Sequence, residues 1–207
     1  MAKFQKTQKK LNLMVKLIGS NKIKTAIFIS GTGSNLKNLI IFSLKKNSPI
    51  QVNLVISNNA GAKGLRYPNM YNIKSKIYNF DKKVISEKKI LKDLKLNKIR
   101  LICLAGFMQI LSRNFIKKFK GKILNIHPSL LPRYKGLNTH ERVIKNKEKY
   151  SGCTVHIVNP KLDSGKIILQ KKVRLSKNET PLSLKKKILE HEHKLYPKAI
   201  DKLFSNL

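Results

Sequence analysis

The segment Asn125-Ile126-His127-Pro128-Ser129-Leu130-Leu131-Pro132 sets a carboxamide and an imidazole two residues apart. In an extended strand, alternate side chains face the same way, so Asn125 and His127 would share one face at a strand end. Further along, Leu162-Asp163-Ser164-Gly165 supplies a carboxylate in turn-forming company. An amide and an imidazolium can stabilise an oxyanion, and a carboxylate beside the imidazole favours its cation. The three form a device for acyl-group transfer that needs no Ser or Cys nucleophile, with His127 expected protonated at neutral pH. By itself, Asn-x-His favours a polar pair bonded to the next loop. The Pro-rich strand exit and the returning Asp163 tilt the balance toward chemistry.

A second segment, Gly31-Thr32-Gly33-Ser34-Asn35, lies between a strand-like run and a helix-like run. That junction exposes backbone N–H groups to phosphate. It lacks the third glycine of a dinucleotide site and the Lys-Ser/Thr ending of a P-loop, so a single phosphomonoester suits it better. A plain tight turn is the competing reading. His140, His156, His191 and His193 show no metal spacing, and His156 falls in a strand as a core residue or one behind the site. Cys103 and Cys153 sit in apolar runs and read as buried reduced thiols, consistent with a cytoplasmic setting. No metal site is expected.

The elements that must position these groups follow from periodicity. Apolar runs at 25–30, 52–56 and 101–105, and the run 122–126 that delivers Asn125 and His127, read as strands, with a short one at 76–79. Helices are expected after Asn35 (Leu36, Leu39, Ile40 and Leu44 on one face), at 65–71 until Pro68 breaks it, at 86–96 and at 114–119. A Pro- and Gly-rich loop covers 128–138, then a helix covers 140–146 with Thr139 as cap. Strands at 153–158 and 167–174 flank the Asp163 turn. A long helix at 181–204 starts at Pro181 with Thr180 as cap, and Pro197 should kink or interrupt it. The alternation implies an α/β, doubly wound, mostly parallel sheet with an antiparallel C-terminal strand pair. Residues 1–23 read as a basic N-terminal extension and 24–207 as a single domain.

The 207 residues carry 45 basic side chains against 10 acidic, a formal +35. Such a surface could bind nucleic acid. Yet the charge is nearly all Lys, scattered along the chain beside abundant Asn and Ile, without an aromatic ladder, which favours compositional drift. A positive field would still speed the encounter of small anions. No apolar run reaches the roughly 18 residues of a membrane span, and the N-terminus lacks a signal-peptide pattern.

Ser30–Leu36, Leu104-Ala105-Gly106-Phe107-Met108, Asn125–Pro132, Gly136-Leu137-Asn138-Thr139-His140 and Leu162–Gly165 together resemble phosphoribosylglycinamide formyltransferase, the folate-dependent enzyme of purine synthesis. The resemblance runs in order from about Lys24 to near the C-terminus. It implies a formyltransferase-like fold, 10-formyltetrahydrofolate as co-substrate and no metal. It also implies small-molecule substrates, no specific nucleic acid, no membrane, and a monomer or weak homodimer in the cytoplasm. By the same resemblance Asn125, His127 and Asp163 are catalytic. Gly33, Ser34 and Asn35 contact the nucleotide phosphate, and Glu192 its ribose side. Met108, Gln109, Ile110 and Leu111 wall the pterin site with Asn125, and Lys83 aligns with a folate-side Arg.

Three positions depart from the family pattern. Gln109 replaces an Arg after the Gly-Phe-Met stretch, Lys83 stands for a second Arg, and Lys166 replaces a Pro. The first two bear on the folate glutamate tail, and none touches the reacting atoms. Methionyl-tRNA formyltransferase and formyltetrahydrofolate deformylase share the catalytic trio. The first carries a large C-terminal nucleic-acid-binding domain and the second an N-terminal regulatory domain, neither of which this chain is expected to accommodate.

Overall fold

A computed structural model describes residues 22–204; residues 1–21, which hold most of the expected extension, lie outside the described residues. Ile23, assigned to that extension by the sequence reading, instead opens the first strand, β1 (Ile23–Ile29). The chain continues through α1 (Ser34–Ser43), β2 (Ile50–Ser57), a 3-10 turn (Lys63–Leu65), α2 (Arg66–Met70), β3 (Lys74–Ile77) and α3 (Lys83–Leu96). Then come β4 (Leu101–Leu104), α4 (Arg113–Lys118), β5 (Lys122–His127), α5 (Thr139–Lys145), β6 (Tyr150–Ile157), β7 (Ile167–Arg174) and α6 (Pro181–Phe204).

The seven strands form one sheet in the order β3-β2-β1-β4-β5-β6-β7. Pairing is parallel from β3 to β5 and antiparallel at β5–β6 and β6–β7. Strand alternation divides the core between the two faces. Ile27 and Ile29 pack with Leu36, Leu39, Ile188 and Tyr196 from α1 and α6, whereas Ala26 and Phe28 pack with Ile90, Leu94 and Phe115 from α3 and α4. Helices on both faces explain why the parallel strands are almost continuously apolar.

Strand order reverses between β1 and β4, whose exits diverge to opposite sides. In open α/β sheets that divergence leaves a crevice at the carboxyl ends of the strands. The Gly31–Gly33 turn leaves β1, residues 106–111 leave β4, and Asn125 and His127 end β5 beside them.

Several element ends differ from the sequence reading. The α5 helix begins at Thr139 itself, with Asn138 in the left-handed region as N-cap and no side-chain cap, so Thr139 is a buried first-turn residue and not the cap. Pro68 lies in the first turn of α2, where its missing N–H costs no helical bond, so it does not break the helix. The α6 helix runs across Pro197 without interruption. Packing of its buried stripe, from Leu184 to Phe204, outweighs one lost backbone bond. The α4 helix starts one residue early because Ser112 caps it by accepting the Phe115 N–H.

The fully buried Tyr196 hydroxyl lies 3.2 Å from the Leu104 carbonyl and 3.1 Å from the Leu124 carbonyl, tying α6 to adjacent strands β4 and β5. Removing a buried hydrogen-bonding hydroxyl costs about 1–2 kcal/mol. Tyr196→Phe should therefore lower the unfolding free energy by that amount, read in urea as a lower midpoint at unchanged slope.

Candidate active site

His127 is buried at the end of β5. Its Nδ1 lies 3.4 Å from Asp163 Oδ2 and its Nε2 lies 2.8 Å from the Tyr134 carbonyl. The loop 128–138 delivers that carbonyl because it is pinned from within and from the sheet. Ser129 Oγ donates to the Arg133 carbonyl, Leu131 N donates to Thr154 Oγ1, and Gln170 Nε2 donates to the Leu131 carbonyl.

Asp163 reaches His127 because the connection 158–166 doubles back from β6. Asn159 Oδ1 holds that connection, accepting from Lys161 N and Ser164 Oγ. Gly165 closes it where a Cβ would lie 1.6 Å from the Ile157 carbonyl oxygen, so no side chain fits. Lys166 contributes its carbonyl, which accepts the Ile157 N–H, so the departure from Pro leaves this turn's bond intact. Asp163 Oδ2 accepts the Gly136 N–H at 2.9 Å, and its Oδ1 lies 3.6 Å from His156 Nε2. Burial pushes the Asp163 carboxyl up, but His156, the Gly136 N–H and His127 outweigh it and hold the group below the usual range.

Asn125 and His156 are cross-strand partners, with Asn125 Nδ2 3.2 Å from His156 Nε2. When His156 donates its Nδ1–H to the Ile157 carbonyl, its Nε2 accepts from Asn125 and fixes the carboxamide orientation. The structure thus gives His156 a place behind Asn125 and Asp163 that its strand position left open.

The protonation of His127 departs from expectation. Burial lowers its pKa, and the Tyr134 carbonyl and Asp163 oppose that without reversing it. A neighbouring carboxylate stabilises an imidazolium, but here the lost hydration weighs more. The free protein therefore holds His127 easier to deprotonate than an ordinary imidazole.

On the β1 side, Gly33 is the N-cap of α1 at φ +74°, and a Cβ there would lie 2.6 Å from Gly64 Cα. No side chain caps α1, so the first-turn N–H groups at Ser34 and Asn35 can face an anion. Beside the turn, Tyr67 carries the Arg66 guanidinium 4.9 Å and the Lys37 ammonium 5.9 Å from its ring centre. The sequence reading did not single out these two cations, because only the fold of 62–67 against Gly33 brings them to the turn.

The Asn35 side chain points elsewhere than a phosphate contact would suggest. Its Nδ2 donates to Glu192 Oε2 at 2.7 Å across α1 and α6, and among the described residues its buried Oδ1 has no hydrogen-bond partner. Burial pushes the Glu192 carboxyl up to about 7, against the Asn35 amide, which pulls it down. Asn35 and Glu192 thus form one unit with acceptor capacity left for hydroxyl donors.

The residues after β4 form an irregular wall. Met108 and Ile110 are exposed and Leu111 is buried, while Phe107 wedges between Phe28 and Phe80, with ring centroids 5.3 and 5.4 Å away. Ser30 Oγ accepts the Met108 N–H at 2.8 Å, joining the wall to the start of the Gly31 turn. Among the described residues, the backbone of Gln109, Ile110 and Leu111 makes no hydrogen bond. Lys83 is the first residue of α3. Among the described residues no group of three or more His, Cys, Asp or Glu is arranged to hold a metal, and no helix is long and apolar enough to cross a membrane.

The family profile described as Formyl transferase matches residues 23–200. The chain is 39% identical over 180 residues to phosphoribosylglycinamide formyltransferase of Haemophilus influenzae, covering 86% of this chain and 85% of that protein. It is 41% identical over 186 residues to the trifunctional purine biosynthetic protein adenosine-3 of Gallus gallus, covering 88% of this chain but spanning only 18% of that protein's length. A solved phosphoribosylglycinamide formyltransferase from Anaplasma phagocytophilum superposes with a TM-score of 0.81 at 40% identity, covering 86% of this chain and 84% of that one.

The raised carboxyl yields a stability test. Glu192 moves from 4.5 to about 7 on folding, so the native state holds its proton more tightly. That contribution is full below about pH 4.5 and is lost as pH rises through about 7. Thermal melts should show Glu192→Gln gaining on the native protein over that window, by on the order of 3 kcal/mol, and then levelling off.

Proposed function

The chain belongs to the formyl transferase family, and on that premise we propose that it formylates the amine of 5'-phosphoribosylglycinamide from 10-formyltetrahydrofolate, releasing tetrahydrofolate, in purine biosynthesis. The chain from β1 onward acts as one catalytic domain, as a monomer or weak homodimer in the cytoplasm. One juxtaposition carries the reading. Adjacent strands β1, β4 and β5 present an anion-ready turn, a wall whose backbone at 109–111 is unpaired among the described residues, and the Asn125/His127 pair at one end of the sheet.

The phosphate takes the first turn of α1 at Gly33, Ser34 and Asn35, with Lys37 and Arg66 adding charge from beside it. Ribose hydroxyls suit the free acceptor of Asn35 and the Glu192 carboxylate. The folate ring lies along Met108, Gln109, Ile110 and Leu111, with Lys83 toward its anionic tail.

The neutral glycinamide amine attacks the formyl carbon, a C–N bond forms, and the carbonyl becomes an oxyanion. Asn125 donates to that oxygen. The arriving negative charge, beside an imidazole already faced by Asp163, favours proton uptake by His127 as the intermediate forms. Collapse breaks the bond from carbon to the folate nitrogen, and the proton lost by the amine passes to that nitrogen through the His127–Asp163 pair and water. No covalent bond to the protein is needed, so catalysis is positioning and charge stabilisation.

An assay of the purified protein with both substrates should give N-formyl product. Replacing the nucleotide by methionyl-tRNA or by water should give none. His127→Ala or Asp163→Asn should lower turnover about a hundred- to a thousand-fold with the fold retained by circular dichroism; near-native turnover would remove these roles. Because ionised Glu192 accepts ribose hydroxyls better than its acid, the nucleotide KM should fall as pH rises through about 7. In Glu192→Gln that pH dependence should vanish.

A further inference from the structure

Glu87 is buried on α3, away from the reacting groups. Its Oε1 accepts the Ser112 N–H at 2.7 Å and its Oε2 accepts the Ser112 hydroxyl. Among the described residues it has no cation within salt-bridge distance. A buried carboxylate without a counter-ion is retained only where its hydrogen bonds do something a neutral residue would do less well.

Capping α4 is not that task. Ser112 Oγ already caps the helix by accepting the Phe115 N–H, and a serine does so without help from an acid. What Glu87 adds is a grip on the Ser112 backbone and a fixed direction for its hydroxyl proton. Ser112 directly follows the wall 108–111. At the other end of that wall, Ser30 Oγ holds the Met108 N–H and itself donates to Asn58 Oδ1. The stretch between is bracketed, with its own backbone groups unengaged among the described residues. A backbone recognition edge can be selective only if its ends do not move, since irregular segments lack the ladder bonds that stiffen helices and strands. Lys83 lies one turn before Glu87 on the same face of α3. One helix thereby carries both the strut and the cation assigned to the folate tail.

We infer that Glu87 is a positioning residue for the folate pocket, acting through Ser112 to hold the 108–111 wall in its binding geometry. The inference rests on the proposed assignment of that wall to folate. It specifies a cost that falls mainly on one substrate, because the nucleotide turn hangs from β1 and α1 and meets the wall only at its far end, through Ser30.

Steady-state kinetics of Glu87→Ala should show the 10-formyltetrahydrofolate KM raised about tenfold, with the nucleotide KM and kcat within about twofold of native. Glu87→Gln should recover most of the loss, since its carbonyl can accept the Ser112 N–H and its amide can donate to Ser112 Oγ. Hydrogen exchange at the Ser112 amide should be faster in Glu87→Ala than in Glu87→Gln. An unchanged folate KM in Glu87→Ala, with only a lower melting temperature, would make the carboxylate a structural brace and overturn the inference. Equal increases in both KM values would also overturn it. If Glu87→Ala does not fold, Glu87→Asp, one methylene shorter, carries the same comparison. A native protein that transfers no formyl group from folate would overturn the functional reading itself, an outcome distinct from an active enzyme with an insensitive folate KM.

Discussion

Burying the Asp163 carboxylate is the constraint around which the candidate site is arranged. A carboxylate removed from water costs several kcal/mol unless hydrogen-bond donors and favourably oriented polar groups meet it. Here the Gly136 N–H bonds one oxygen and two imidazoles face the group. Meeting those terms requires the 158–166 connection to fold back, which needs Gly165 and the Asn159 bonds. It also requires the 128–138 loop to wrap close enough to offer Gly136. That wrap sets the Tyr134 carbonyl against His127 Nε2, so one electrostatic demand places loop, hairpin and imidazole together.

The two acids assigned to the site are driven in opposite directions. Asp163 has several partners and is held low, whereas Glu192 has one carboxamide in an apolar setting and rises to about 7. Divergent carboxylates of this kind mark groups with different tasks, one remaining an anion to back an imidazole and the other taking or losing a proton near neutrality. The large positive charge takes another part. Lys74 and Lys76 line the exposed edge strand β3, and Lys171, Lys172 and Arg174 line the opposite edge β7. Charged side chains on an edge strand disfavour edge-to-edge pairing, and a positive field speeds the encounter of small anions.

Most of the fold was legible because its signals are local. The apolar runs of β1, β2, β4 and β5 and the stripe of α6 declare their period within a dozen residues. The turns at Gly31–Gly33 and Asp163–Gly165 declare themselves through glycine. Errors fell at ends, where neighbours compete: Thr139 looked like a cap until packing drew it into the helix, and Pro68 looked like a breaker until it fell in a first turn. Of the candidate site, Asn125 and His127 were readable as a pair because two residues of strand put them on one face. Gly33 was readable because only glycine serves that turn. His156 was readable only as one of two alternatives, and Lys37, Arg66 and Glu87 were not, since each matters through a partner far away in the chain.

The sequence by itself determined the periodicities, the turns and the order of chemical groups, because each depends on residues within a few positions of one another. Only the tertiary structure decided that Asp163 meets His127, that Asn35 spends its amide on Glu192 and that Glu87 grips Ser112. It also decided that burial outweighs a facing carboxylate in setting the charge of His127. Those outcomes depend on which groups lose water and which partners replace it, and desolvation is a property of the packed molecule that no short stretch of chain contains.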